Sequence, residues 1–320
     1  MVIGLGVVSV VASLELVAAC ANSTEPEPAL SHPQGIVAAS PAIASRPFAV
    51  AISRDGVAYV GRQDLPFLQA TTLPGLTFAD SVQVGSDPTD IAFNSTGTIA
   101  YVTNQFSSTV GVVDVNSGVT TDNITVSGAP FRVLVVPNNT QIIVSSNNDS
   151  VYTIGVTSKS VLHRWGFAAP VNGMALMSNG TVLYVSSIGG KLYKLNPNGT
   201  GSVDSAQLGG TPQDLAVSRD GTELFVANEN GSLEVRSPAT LTLIDTIPGA
   251  AGAFGLAGTP DDIQLYATYP GAGLIRIIDR TTRTVGPTLT VGGTPRRIAF
   301  DRLGETALIP NEAGFVTVVK

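Results

Sequence analysis

The sequence predicts an all-β protein built as a closed ring of seven four-stranded antiparallel blades. Three observations carry that prediction. A unit opening Pro-Thr-Asp-Ile-Ala-Phe at Pro88 recurs with first residues Pro47, Pro88, Pro130, Pro170, Pro212, Ala253 and Pro295, at spacings of 41, 42, 40, 42, 41 and 42 residues. A fixed period of this length marks units that bury their faces only against one another, so the copies form one domain although 320 residues could hold two or three. The runs between turns are rich in Val, Ile, Thr and Ala, and 34 Gly and 20 Pro punctuate them, a composition that favours strands over helices. Each unit also divides into four short strand-like runs, the size of one propeller blade.

Residues 1–19 form a mostly apolar stretch that ends Leu16-Val-Ala-Ala-Cys20, with small residues just before the cysteine. This resembles the lipobox of a bacterial lipoprotein signal peptide. The resemblance implies cleavage before Cys20, lipidation of its sulfur and of the new N-terminus, and an extracytoplasmic protein held at the membrane of the cell envelope by several acyl chains. Secretion with a free Cys20, and a retained membrane anchor, are the alternatives. The apolar run falls short of the ~20 residues a membrane span needs. With Cys20 the sole cysteine, no intrachain disulfide can form. Residues 20–40 carry Glu-Pro-Glu-Pro and Ser31-His-Pro-Gln-Gly without periodicity and read as a disordered tether, with His32 a solvated linker residue.

The seven-bladed β-propeller is assigned to residues 41–320. Six of the seven units open with Pro, and the sixth with Ala253, followed by two variable residues and an apolar-small-apolar triplet, as in Ile91-Ala-Phe93 or Leu215-Ala-Val217. That is the inner strand. Small residues are expected at the triplet centre, where blades converge: Ala51, Ala92, Ala175, Ala216, Ala257 and Ala299 fit, and Leu134 departs. Turns such as Arg54-Asp-Gly56 and Arg219-Asp-Gly221 follow, suited to tight hairpins. The second strand ends in Tyr101-Val-Thr-Asn104 or a variant of it, such as Phe225-Val-Ala-Asn228 or Tyr184-Val-Ser-Ser187. The tetrapeptide and the Pro-x-x-Ile/Leu/Val-Ala opening together resemble the YVTN-type β-propeller repeat family. The last unit stops after three strands, and Ala42-Ile-Ala44 stands where an outer strand precedes each other unit, so the N-terminal segment is expected to complete the last blade and close the ring.

Function is less legible. The net charge is −7 with no Lys/Arg-rich run, which argues against nucleic acid as a partner. His32 and His163 are the only histidines, so a His/Cys metal site or a Cys-His nucleophile lacks its residues, and His163, placed on an outer strand beside Trp165, is no candidate for catalysis. No cofactor is called for. The best site signal is one repeated position, the second residue after each unit start: Ala49, Asp90, Arg132, Asn172, Asp214, Gly255 and Arg297. Four charges and an amide at one place, in a chain only 13% charged, point to the channel mouth, with Asp90, Arg132, Asn172, Asp214 and Arg297 as candidate ligand contacts or as blade-to-blade ion pairs. Loops on the same face add Arg62, Asp64, Asn104, Asn147, Asn228, Tyr269 and Asn311 as exposed polar groups. Two functions follow: a cell-envelope binding or scaffolding lipoprotein that recognises a protein or glycan at the channel mouth, or a metal-assisted lactonase- or lyase-like enzyme using Asp90 and Asp214 with Asn172. Arg132 and Arg297 in the same ring oppose a cation.

Overall fold

A computed structural model describes residues 28–78 and 80–320. Cys20 and the signal-peptide segment 1–19 lie outside the described residues. Among the described residues there is no helix, and none is therefore long and apolar enough to cross a membrane. The strands form seven separate four-stranded sheets. Blade two shows the pattern: Pro88–Phe93, Ile99–Asn104, Thr109–Asp114 and Val119–Thr125 pair in sequence order, each antiparallel to the one before.

The inner triplet and the second strand fit by volume. Ala51 faces Tyr59, Ala92 faces Tyr101, Ala175 faces Tyr184, Ala216 faces Phe225 and Ala257 faces Tyr266 across the ladder. Where Leu134 replaces alanine, its partner is Ile143, a smaller side chain than tyrosine. Convergence of blades is thus half the reason for the alanines. The other half, for five of the six, is the aromatic each one opposes, Ala299 facing Leu308 instead, since close-packed interiors tolerate neither overfilling nor a void.

Seven apolar cores hold the ring, one at each seam between neighbouring blades. Tyr59, Leu68, Val82, Ile91 and Val102 join blades one and two, for example. Tyr266, Ile275, Ile277, Ile309 and Val319 join six and seven, and Ile43, Val50, Val60, Leu308 and Val316 join seven and one. No blade has an unpacked face, which is the requirement a repeat fold must meet.

Closure by the N-terminal segment is present, but the strand lies further upstream than Ala42–Ala44. Blade seven runs Ala299–Phe300, Ala307–Asn311, Phe315–Val319, then Val37–Ala39 as its outer strand, with Val37 opposite Val319. Ala42 contributes a bridge to Phe315, and the Ile43 N–H donates to the Gly314 carbonyl at 2.9 Å while its side chain enters the seam core. The apolar Val37-Ala-Ala39 run extends the pairing to the last residue of the chain: Ile36 and Lys320 exchange both backbone hydrogen bonds at 2.9 Å.

The tether reading therefore fails for residues 31–40. The backbone N–H and hydroxyl of Ser31 both donate to the Leu303 carbonyl at 2.7 and 2.8 Å. His32 is bonded through Nδ1 to Asp261 Oδ2 at 2.5 Å and is no solvated linker residue. Tyr266 Oη donates to the Pro33 carbonyl at 3.2 Å, just as Tyr184 Oη donates to the Pro238 carbonyl at 2.8 Å in a seam where the chain is continuous. Pro33 stands in for the turn that blade seven would otherwise supply, which is why a proline-rich segment is ordered here.

Candidate functional site

Antiparallel pairing places the start of each inner strand beside the end of the second: Pro47 opposite Arg62, Pro88 opposite Asn104, Pro130 opposite Ser146 and Pro212 opposite Asn228. The two loop families the sequence singled out therefore share one face. At this end five inner strands carry an irregularity, between Pro47 and Ala49, Pro88 and Asp90, Pro130 and Val133, Val171 and Gly173, and Pro212 and Asp214. A bulge breaks strict alternation and re-aims the side chains beside it. Every one of the five candidate positions except Arg297 lies within such a bulge.

Four of the five candidates meet at the channel axis. Arg132 Nε lies 3.3 Å from Asp90 Oδ2, and Arg132 Nη2 lies 3.2 Å from Asp214 Oδ1. Arg297 Nη1 lies 3.3 Å from Asp214 Oδ2. These pairs run from blade three to two, three to five and seven to five, so two of the three skip a blade and cross the channel. Both carboxylates also accept a backbone N–H of the next blade, Asp90 from Val133 at 3.0 Å and Asp214 from Leu256 at 3.2 Å. The candidates serve as blade-to-blade connectors and as a plug.

Burial decides what the quartet can do. Asp214 is 3% exposed and Arg297 2%. Phe48, Phe131 and Phe254 form a separate buried cluster, and their ring centroids lie 5.5, 5.2 and 5.6 Å from the Arg297 guanidinium carbon. Among the described residues nothing accepts a hydrogen bond from Arg297 Nε or Nη2. Burial, and next the charge of Arg132, push the Arg297 guanidinium down to about 10. Burial also works against the charge of Arg132, but Asp214 and Asp90 outweigh it and hold that guanidinium above its ordinary value. Arg132 takes both carboxylates, the place a divalent cation would need, so Asp90 and Asp214 are not a free acidic pair. Among the described residues no three His, Cys, Asp or Glu side chains gather into a metal-binding group.

Asn172 does not join the quartet. Its Nδ2 donates to Gln213 Oε1 at 2.6 Å, and Gln213 Nε2 donates to Glu229 Oε2 at 2.7 Å, a polar chain from blade four to blade five at the rim. Across the ring, Glu312 accepts from Arg46 Nη2 at 2.7 Å and from Arg296 Nε at 2.6 Å, and the Arg296 guanidinium lies 4.6 Å from the Phe254 centroid. The reading missed Phe48, Phe131, Phe254 and Arg296. Their signal lay one position earlier in the same column, where three of the chain's 11 phenylalanines occupy the first residue after the unit start.

The asparagines that end the second strands are not exposed ligand amides. Asn104, Asn228 and Asn311 are buried. Asn228 Oδ1 accepts the Thr211 N–H at 2.7 Å and its Nδ2 donates to Gly209 O at 3.1 Å; Asn311 does the same with Thr294 N at 2.7 Å and Gly292 O at 2.8 Å. These two amides staple the loops leading into their own blades, whereas Asn104 Nδ2 donates to Thr109 Oγ1 at 3.2 Å. Gly210 and Gly293, at φ +58° and +57°, sit against these amides, and a Cβ at either would collide with the side chain. Arg62 and Tyr269 are buried as well, the latter donating to Ala250 O at 3.2 Å. Asp64 is exposed as expected, and Phe106 in the same loop family is 78% accessible. His163 lies on the outer strand Val161–Gly166, edge-on to Trp165 at 4.2 Å, away from the channel.

No protein-family model matches the chain, and no curated protein matches it. Among solved structures, a chain of Kuenenia stuttgartiensis hydrazine synthase is similar at 14% identity, with a TM-score of 0.79 over 91% of this chain and 99% of that one. The likeness spans nearly all of both chains, so the whole seven-bladed ring is shared, and at that identity it is a likeness of fold alone.

Proposed function

We propose that this protein is a non-enzymatic binding or scaffolding module of the cell envelope, anchored through a lipidated Cys20, whose channel-mouth face recognises a protein or glycan partner. A propeller accommodates a binding or scaffolding role in general, and a fold by itself selects neither ligand nor reaction. The observation that carries the reading is the plugged axis. With Asp90, Arg132, Asp214 and Arg297 tied to one another behind three phenylalanines, recognition moves outward to the rim, where Arg46, Arg296, Glu312, Glu229 and Phe106 present charge and aromatic surface. The lactonase or lyase reading needed Asp90 and Asp214 as metal-holding carboxylates, and both are taken by arginines.

Membership of the YVTN-type repeats is part of the same proposal. It is supported by the work done by each residue of Tyr101-Val-Thr-Asn104: the tyrosine opposes Ala92, Val102 enters a seam core, Thr103 Oγ1 donates to the Phe131 carbonyl of the next blade at 3.2 Å, and Asn104 ends the strand buried. The lipid-anchor part is tested by fractionation. The native chain is expected with the membranes and to incorporate a labelled fatty acid; Cys20→Ser should release it and abolish labelling. Equal partition of both forms would overturn the anchor.

A further inference from the structure

The seams between blades are not chemically alike on the face opposite the channel mouth. At the seam of blades five and six, Arg280 bonds Asp220 at 2.8 Å, Glu223 at 2.8 Å and Asp262 at 2.5 Å, while Arg283 bonds Glu223 at 2.9 Å. At the seam of six and seven, the chain's own residues 31–33 occupy the space. Counted from the unit starts Pro130 and Pro212, the residues of blade three that match Asp220, Thr222 and Glu223 are Asn138, Thr140 and Gln141. Each carboxylate has become its own amide. The turn of blade four facing them brings Pro197 between Asn196 and Asn198, with no arginine, and Ile143 stands where blades four and six carry Tyr184 and Tyr266.

The result is an open cleft of about 420 Å³ between blades three and four. Its walls include Asn138, Gln141, Asn179, Thr181 and Asn198, and no charged side chain. Gln141 Oε1 is buried there without a hydrogen-bond partner among the described residues, whereas Glu223, its counterpart, is bonded to two arginines. The oxygens of Asn138 and Asn179 are committed to their own turns, accepting from Thr140 and Thr181. That commitment fixes both amides and turns their NH₂ groups outward as oriented donors. A buried polar atom left without a partner costs about 1–3 kcal/mol, so an occupant that satisfies it is favoured.

We infer that this cleft is a binding site for a neutral polyhydroxylated ligand, a saccharide, separate from the channel-mouth face. The amide donors of Asn138 and Asn179 and the unpartnered acceptor of Gln141 match hydroxyl groups, each of which donates and accepts. The charge-free wall has no counterpart for a phosphate, sulfate or carboxylate. A volume near 420 Å³ admits one to two sugar rings.

The test is titration of the full chain, with ¹⁵N-labelled side-chain amides observed by NMR, using maltotriose, cellotriose and chitotriose, with a sulfated oligosaccharide as the charged counterpart. At least one neutral sugar should shift the Gln141 and Asn138 amide resonances, and the sulfated one should not. Gln141→Leu, which removes an oxygen that has no partner among the described residues, should weaken binding at least about tenfold without lowering the melting temperature. Asn179→Ala, at an exposed turn, should weaken it independently. The inference is overturned if no neutral sugar shifts these resonances, if Gln141→Leu binds as the native chain does, or if the shifts appear only at the channel mouth.

Discussion

Asp214 is the residue on which the channel depends most. It answers two buried guanidiniums and two backbone N–H groups, of Leu215 and Leu256. Removing one member of a buried ionic group leaves its partners uncompensated, whereas removing both can be nearly neutral. Asp214→Ala should destabilise the protein by about 3–5 kcal/mol, and Asp214→Ala with Arg297→Met should recover part of that in urea unfolding. Asp87 provides a pH signature. It is buried at the mouth, and burial, opposed by Arg46, raises its carboxyl from 3.8 to about 6. Between about pH 4 and 6 the folded state then keeps a proton that the unfolded chain has lost, so this group's contribution to stability falls as pH rises through that window and stays low above it. Asp87→Asn should accordingly raise the melting temperature at pH 7 and change it little at pH 4. Asparagine also tolerates the backbone φ of 59° at this position.

The element that closes the ring is the N-terminal segment. It supplies the outer strand Val37–Ala39, the Ile43 side chain of a seam core and the Pro33 carbonyl that answers Tyr266. A chain beginning at Pro47 loses all three, and the edge of Phe315–Val319 is then bare. Its melting temperature should fall by roughly 10 °C or more relative to a chain beginning at Pro28, since a kilocalorie is worth about 2–4 °C in a domain of this size. Unchanged melting would show that closure is incidental. The period made this much legible, because a missing fourth strand in the last unit demands a donor. Its register was not legible. Ala42-Ile-Ala44 has the alternation of a strand, while Val37–Ala39 follows Ser-His-Pro-Gln-Gly, a run that signals disorder until Leu303, Asp261 and Tyr266 are seen waiting for it. Long-range partners override local composition here, and a single sequence does not display them. The candidate site divides the same way. The repeated position brings Asp90, Arg132, Asp214 and Arg297 together, since a column in a repeat is a ring in space. Burial was hidden, because it arises from Phe48, Phe131 and Phe254 on three different blades.

For the whole molecule, a ring of seven blades closed by the segment Val37–Ala39 separates two kinds of surface. The channel mouth carries charge and an exposed aromatic; the opposite face carries seams filled by arginine–carboxylate pairs, by the chain itself, or left open and lined with amides. Recognition at the mouth rim is the central claim. Its most direct measurement compares envelope components retained by the immobilised native chain with those retained by an Arg46→Ala/Phe106→Ser variant, in which Phe106 is 78% exposed and Glu312 keeps its ion pair with Arg296 when the one with Arg46 is lost. The account predicts one or a few components held by the native chain and lost, by about tenfold or more, from the variant, which corresponds to roughly 1.4 kcal/mol of rim contact. Equal retention by both chains, with both folded, would contradict it.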